Sequence, residues 1–526
     1  MYNMHQKDEN RTKIHVVVIG GGLAGLSVLL AFLQHKKKHA SDSSEGFRCD
    51  IYDRDVSIDA RKNGYGLTLT YNPKGPLQAL DVLEDLALLD SPSRSHYVFD
   101  SQGRVLGFYG NTFREDGILL PQRGNMRIAR GEVRRVIFER IRSLGGEEQM
   151  HWGHEVSEVK RRDTDGKISV SFTNGVKVEG IDLLVGADGV RSKTLSLCLS
   201  AATFPTKIAS TISPDPEPLG ILLIIGVSTL DHPLLRQRGF HSVNGSTRLF
   251  LMPFSEGETM WQFSCALPNE EGTKLRRLGA SELKKHVQSM MSEWHSPIPA
   301  LIEETDIDTI WGTTLVDRDP SPFCSKGEKN DIVFIGDAAH AMSPFKGAGA
   351  NQALLDGVQL VEHLVRGGGG KVRTSALNFE RVMIQRSRVK DSRLAAIELH
   401  SERVLNASAH AFTGLSDEQW AGLSEVLEKR GIRASEGIDE NIRDSMADLG
   451  IEFEATVKTK KKKSVDEEDV QTMFRAVLEG DFPTIRRLSL KDSRLLSLTT
   501  LDGANLKDLA KKKEIRKWFI NDVGLR

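Results

Sequence analysis

Residues 13–33 read KIHVVVIGGGLAGLSVLLAFL. The first seven form a β-branched run of the kind needed by a parallel strand covered on both faces. Gly20 to Gly25 follow at once as G-x-G-x-x-G, and Leu26, Leu29, Leu30 and Leu33 then recur at helical spacing. After a polar stretch at 35–46, a second strand, FRCDIYD, ends at Asp53, with Arg54 beside it. This is a β–α–β unit shaped for a dinucleotide. Gly20 makes the tight turn, Gly22 lets a pyrophosphate approach, and Leu23, Ala24 and Gly25 open a helix whose N-terminus faces the phosphates. Asp53 is positioned to accept hydrogen bonds from a ribose. The loop alone does not choose between NAD and FAD.

Working outward, RIARGEVRRVIFERI (127–141) has helical periodicity. HEVSEVKR (154–161) and KISVSFTNG (167–175) read as strands, with Asn174-Gly175 as a turn signal. DLLVGADG (182–189) is a further buried strand ending in a turn. From about 205 to 315 the texture changes. GILLIIGVS, TRLFLMPFS and MWQFSCAL are strand-like runs between turn-rich breaks, as in an antiparallel sheet of a separate lobe. A parallel-type strand, DIVFIGDA (331–338), then leads into a long helical stretch.

The expected fold class is α/β: a Rossmann-like domain (an FAD-binding domain by the two segments taken up below), an inserted antiparallel-sheet substrate domain and a helical C-terminal extension. The expected boundaries are 12–205 with 311–410 for the FAD-binding domain, roughly 60–125 contributing to the substrate side, and 206–310 for the substrate domain. Residues 411–465 are a helical region and charged linker, and 466–526 a helical segment. In that segment Ala476, Gly480, Asp481, Ile485 and Leu488, then Asp502, Gly503, Leu509 and Ala510, resemble a degenerate ankyrin repeat. It is read as the surface for a protein partner. Lys460–Lys463 is followed by Asp466, Glu467, Glu468 and Asp469, so the run reads as a solvated linker.

The bulk numbers exclude several classes. At 526 residues the chain needs more than one core. A net charge of −1 gives no reason to expect nucleic acid. The longest apolar stretch, Gly220 to Val227, is far too short to span a membrane. Cys49, Cys198, Cys265 and Cys324 form no CxxC, so neither a metal site nor a disulfide framework is expected, and the location expected is cytoplasmic.

Two later segments select FAD. Asp182-Leu-Leu-Val-Gly-Ala-Asp188-Gly189-Val-Arg191-Ser192 resembles the DG segment of the group A flavoprotein monooxygenases, the para-hydroxybenzoate hydroxylase family. GDAAHAMSPFKGAGANQ (336–352), continuing to Asp356, is similar to that family's GD segment. The resemblance spans about residues 12–400. It implies that Asp337 binds the ribityl chain and that Asp188 serves FAD and the nicotinamide donor. It further implies that Gly347, Gly349, Ala350 and Asn351 open a helix facing the flavin pyrimidine ring, with the Pro344 loop on the oxygen-reaction side. Arg130 matches an arginine that contacts FAD, and Arg61 borders the flavin by the same resemblance.

The implied activity is an FAD-dependent monooxygenase using NADPH or NADH and molecular oxygen. It would hydroxylate an aromatic or other electron-rich small molecule through a C4a-hydroperoxyflavin. Met252, Trp261 and Phe263, with Gln262, are expected to line the substrate site. No spacing assigns a catalytic base among His241, His154 and Tyr65, and His340 is expected to brace its loop. The alternatives are a reductase, cyclase or halogenase on the same scaffold, or a flavin-binding regulatory protein acting through its C-terminal repeats. The tryptophans (152, 261, 294, 311, 420, 518) include no W-x-W pair, which counts against a halogenase.

Overall fold

The computed structural model describes residues 13–38, 46–60, 64–93, 95–110, 125–162, 166–201, 212–236, 238–325, 331–368, 371–388, 392–401, 415–434 and 437–451, and short stretches between 472 and 488. They fall into two compact units, 1–110 with 125–445, and 111–124 with 446–526.

The nucleotide-binding part of the first unit rests on a five-stranded sheet. Its members are β1 (Ile14–Ile19), β2 (Phe47–Asp53), β7 (Met150–Trp152), β11 (Leu183–Gly186) and β17 (Ile332–Phe334). Their order is β17-β11-β1-β2-β7, and every pairing is parallel. Helices flank it: α1 (Leu23–Lys38), α2 (Arg130–Ser143), α3 (Lys193–Ser200), and, after α4 and α5 of the other lobe, α6 (Gly349–Gly367) and α7 (Val372–Arg388). Val16, Val17 and Val18 are fully buried, as the β-branched run requires. The first half of α1 is buried nearly all round, from Leu23 through Leu30, because it lies against the sheet and also against α6 and α2. In α2 the buried residues Val133, Ile137, Phe138 and Ile141 recur at helical spacing, one stripe facing the core.

This sheet order reverses direction beside β1. The chain winds outward from β1 to β2 and β7, then returns to place β11 and β17 on the other side. In an open parallel sheet the crevice at such a reversal, beyond the carboxyl ends of the strands, is where ligands bind.

A three-stranded antiparallel sheet, β8 (Val156–Arg161), β9 (Ile168–Phe172) and β10 (Lys177–Ile181), follows β7. The short pair β3 (Gly66–Thr70) and β6 (Asn125–Ala129) is also antiparallel.

The second lobe is a seven-stranded sheet in the order β16-β12-β15-β14-β13-β4-β5. It consists of β4 (Ser95–Asp100), β5 (Val105–Gly110), β12 (Glu217–Ser228), β13 (Arg238–Val243), β14 (Thr247–Ser255), β15 (Glu258–Ala266) and β16 (Trp311–Asp317). Strands from 95–110 enter it through a parallel pairing of β4 with β13. Because β16 pairs with β12, this lobe extends to Asp317 and the expected boundary at 310 moves outward. Helices α4 (Asn269–Arg277) and α5 (Ala280–Met291) and the short helix Ile298–Glu303 lie on one of its faces.

In the second unit Met473, Ala476, Val477, Ile485 and Leu488 are buried, and the Asp481 carboxylate accepts from Thr484 N–H at the start of a helical turn. Residues 502–510, on which the ankyrin resemblance also rests, lie outside the described residues, as do Arg61 and the 458–469 linker. No helix among the described residues is long and apolar enough to cross a membrane.

Candidate flavin site

The carboxyl ends of four neighbouring strands gather the segments singled out in the sequence. Across the sheet they run β17 with Asp337, β11 with Asp188, β1 with Gly20–Gly25, and β2 with Asp53. At the centre Gly20 has φ +112°, and a Cβ there would lie 2.4 Å from Ala187 O, so only glycine fits. A Cβ on Gly25 would lie 1.9 Å from Gly20 O, which is how closely α1 springs from the strand. At Gly22 an added Cβ meets nothing within 4 Å, so the loop leaves a cradle open toward the crevice. Leu23 and Ala24 are buried inside the start of α1. This arrangement fits a pyrophosphate laid on the helix N-terminus.

Asp53 is buried and accepts from Gly21 N–H and, at 2.7 Å, from Asp55 N–H. Its neighbour Arg54 lines the same cleft. Arg134 braces this end. Its side chain is 5% exposed, its Nε donates to Gly21 O at 2.9 Å, Nη1 donates to Ile58 O at 2.9 Å, and Nη2 meets Asp55 at 3.4 Å. The guanidinium also lies 5.5 Å from the Trp152 ring centroid. In sequence Arg134 is one of several arginines between Arg127 and Arg142. Only when α2 is laid on the sheet does it separate from its neighbours, on the buried stripe one position after Val133.

The Asp53 end of the cleft is also lined by Tyr52, His154, Glu155 and Val156. Tyr52 is stacked between His151 and Phe172, with centroids at 4.4 and 4.7 Å. His154 lies here, edge-on to Tyr52 and Phe172. Arg130 lines the cleft, with its N–H donating to Tyr65 O and its guanidinium 6.0 Å from the Tyr65 ring.

Asp188 also lines the cleft, but its carboxylate is engaged by protein. It accepts from Thr194 N–H and Thr194 Oγ1, both at 2.8 Å, and from Ser192 Oγ at 2.5 Å. The residue therefore shapes the turn from β11 into α3, and the backbone of that turn, with Gly189 at φ +88°, faces the crevice.

Asp337 opens the turn after β17. It is accessible from the crevice yet crowded by protein, and that burial pushes its carboxyl up against the pull of His340 and Arg130. Behind it lies a buried ionic group. His340 Nε2 is 2.7 Å from Asp356 Oδ2, which also accepts Gly336 N–H at 2.8 Å, and Arg386 Nη2 donates to Asp356 Oδ1 at 2.5 Å. Burial alone would lower the His340 imidazole, but the Asp356 carboxylate prevails and holds it above its ordinary value.

Beyond it, Pro344 begins a short turn that ends at Gly347 with φ +59°. Asn351 pins the next helix: Nδ2 donates to Thr68 O at 2.9 Å and Gly347 O at 3.0 Å, and Oδ1 accepts from Thr70 N–H at 3.0 Å. At the start of α6 no side chain caps the helix and no acid occupies the first turn. The amides of Gly349 and Ala350 thus stand ready for negative charge, as reduced flavin carries at its pyrimidine edge. The residues present fit FAD along its whole length.

The inner face of the seven-stranded sheet lies against this loop. Met252 belongs to it: a Cβ on Gly66 would lie 2.8 Å from Met252 Cε, and Gly66 N–H donates to Met260 Sδ. Trp261 and Phe263 do not. Pairing of Trp261 with Leu251 and of Phe263 with Leu249 sends both to the opposite face. There Trp261 Nε1 donates to Thr305 Oγ1 at 2.8 Å and Phe263 meets His286 under the helices. Trp261 and Phe263, expected to line a substrate site, thus lie on the face under the helices, whereas Gln262 shares the face of Met252. Arg248, 2% exposed, sits on the inner face 4.9 Å from the Phe345 ring centroid and 5.3 Å from that of Phe250. Burial, and then Arg248, push the imidazoles of His241 and His400 down. His400 Nε2 is within 2.8 Å of Ser264 Oγ.

The chain matches the FAD binding domain family over residues 121–378. The chain thus carries the FAD binding domain found in group A flavin monooxygenases, and its relatives are monooxygenases. It is 27% identical over 435 residues to monooxygenase cfoF of Aspergillus candidus, covering 77% of this chain and 93% of that protein. It is 26% identical over 354 residues to the aurachin C monooxygenase/isomerase of Stigmatella aurantiaca, covering 67% and 81%. The fold is that of Klebsiella pneumoniae HpxO, solved with FAD and uric acid, at a TM-score of 0.60, 20% identity, and coverage of 82% of this chain and 96% of that one. The protein is an oxidoreductase of the monooxygenase type whose cofactor is FAD.

Proposed function

We propose that the enzyme hydroxylates an aromatic or other electron-rich small molecule, consuming NADPH or NADH and molecular oxygen. The balance is substrate, oxygen, NAD(P)H and a proton giving hydroxylated substrate, NAD(P)⁺ and water. FAD, when bound, takes the hydride and activates oxygen. The chain's own residues do the rest.

The observation that carries this reading is the contact between the flavin-facing loop and the inner face of the second sheet, where Phe345 meets Arg248 and Tyr65 meets Trp311. It leaves the reacting site walled by Ile225, Val227, Met252 and Met260, residues that exclude water. Arg248 supplies a permanent positive charge on that wall, suited to a substrate oxygen that carries or develops negative charge, such as a phenolate or enolate. His241 and His400, with proton affinity reduced, serve as hydrogen-bonding groups rather than bases at neutral pH. Met252 and Gln262 contribute to the substrate wall, while Gly20, Gly22, Asp53, Arg54, Arg130, Asp337, Gly347, Gly349, Ala350 and Asn351 hold FAD, and Asp188 shapes its turn. Cys49, Cys198 and Cys265 are buried thiols outside any disulfide, which suits a reducing compartment and supports a cytoplasmic location.

The test is to load the purified protein with FAD and follow NAD(P)H oxidation over a panel of phenols, hydroxyquinolines and purine-like heterocycles under ¹⁸O₂. One ¹⁸O in the product is expected. Oxygen consumed only to hydrogen peroxide, with every compound returned unchanged, would rule the hydroxylase reading out.

A further inference from the structure

Arg191 lines the flavin cleft and also a second, open groove of about 390 Å³. The groove is further lined by Thr273, Arg276 and Arg277 of α4, by Thr314 of β16 and by Asp215. The last turn of α4 is held in place because the helix presses on the sheet: a Cβ on Gly272 would lie 2.8 Å from Thr314 Cγ2. Among the described residues no carboxylate pairs with Arg191, Arg276 or Arg277. Elsewhere in the first unit, arginines at comparable junctions are neutralised, as Arg161 is by Asp331, Arg238 by Asp439 and Arg393 by Asp317.

Basic residues in the last turn of a helix complement its dipole, and Lys274 does so here along with Arg276 and Arg277. That accounts for the charge on α4. It does not account for Arg191, which comes from the turn after β11, nearly ninety positions earlier, and lines the same groove. Three guanidinium groups against one carboxylate, Asp215, leave the groove electropositive at the mouth of the flavin cleft.

We propose that this groove binds the adenosine 2′-phosphate of NADPH, an assignment that rests on the reading of the enzyme as one reduced by a pyridine nucleotide. A diphosphate is usually met by a glycine loop, and the groove contains no glycine, although Asn269 brings the first turn of α4 to its edge. It offers arginine side chains from two segments, whose planar forks match the oxygens of a terminal phosphate monoester. A nearby arginine is how nucleotide-binding α/β folds accommodate a 2′-phosphate. The donor is thereby held by one end, as suits a nucleotide that binds, gives up a hydride and leaves.

The test uses the FAD-loaded full-length enzyme. The wild type is expected to prefer NADPH to NADH in kcat/KM, and to bind 2′,5′-ADP but not 5′-AMP by calorimetry. In the Arg276→Gln, Arg277→Gln double variant the NADPH-to-NADH ratio should fall at least tenfold, carried by the KM for NADPH. Binding of 2′,5′-ADP should be lost, with flavin fluorescence titration and melting temperature confirming a folded, loaded protein. Lys274→Gln, on the same turn but outside the groove, should keep the ratio. A wild type that uses both nucleotides equally, or a double variant that still binds 2′,5′-ADP, overturns the groove assignment and leaves the hydroxylase reading standing. Oxidation of neither nucleotide removes the hydroxylase reading and takes this assignment with it.

Discussion

His340 Nε2 lies 2.7 Å from Asp356 Oδ2, and the same carboxylate oxygen accepts the N–H of Gly336. One buried carboxylate on α6 therefore holds both ends of the turn that carries Asp337. Arg386 of α7 secures its other oxygen, so two helices and the flavin-facing turn share one ionic centre.

Replacing Asp356 with Asn leaves His340 and Arg386 facing a neutral partner inside the protein. Breaking a buried pair from one side typically costs about 3–5 kcal/mol. Urea unfolding should register a loss of that order, and FAD affinity should fall with it because Gly336 loses its anchor. A loss below about 1 kcal/mol would mean that the three side chains are not coupled as described.

The same pair gives stability a pH dependence whose sign follows from the shifts. His340 is raised in the folded state, so its contribution is complete at low pH and is lost as pH rises through that raised value. For Asp356, burial would raise the carboxyl, but His340 and then Arg386 pull it below its ordinary value. Its contribution is lost only as pH falls through that lowered value. Melting temperature should therefore decline above the ordinary imidazole range in the wild type, and decline less in His340→Gln. Superimposable pH profiles for the two proteins would contradict this.

Asp337→Ala should weaken FAD binding by about 10- to 100-fold, equivalent to the roughly 1.5–3 kcal/mol of hydrogen bonding to a charged group. Flavin fluorescence titration measures it directly. An unchanged dissociation constant would remove Asp337 from the ribityl site.

Neighbours on β15 should separate cleanly. Trp261→Phe removes the donor to Thr305 Oγ1 and should destabilise the fold by about 1–2 kcal/mol, with the KM for substrate intact. Gln262→Leu should alter substrate KM or the yield of product per NADPH, with stability nearly kept. If Trp261→Phe shifts substrate KM and Gln262→Leu does not, the assignment of faces is reversed.

The glycine loop was legible because its demands are local: no residue but glycine tolerates φ +112° against Ala187, and only hydrogen at Gly25 clears Gly20 O. Asp337 and the 347–351 run were legible because the resemblance extends unbroken through that segment. Arg134 was not, since nothing in RGEVRRV says which arginine turns inward until α2 is laid on the sheet. Arg248 was missed altogether, because a lone cation near the start of TRLFLMPFS reads as an interruption of a strand.

The sequence by itself determined the parallel β–α–β start, the dinucleotide loop and the flavin-type motifs, because backbone sterics and strand and helix periodicity act over neighbouring residues. Only the tertiary structure decided which face of β15 lies toward the Pro344 loop and which lies under the helices. Strand period fixes that Trp261 and Gln262 face opposite ways, but which of them points inward depends on pairing with β14 and β12 and on the helices covering the far side. The same holds for the sharing of Asp356 by His340, Gly336 and Arg386. Those partners are 16, 20 and 30 positions away, and only the packing of α6 and α7 beside the β17 turn brings their charges to one point.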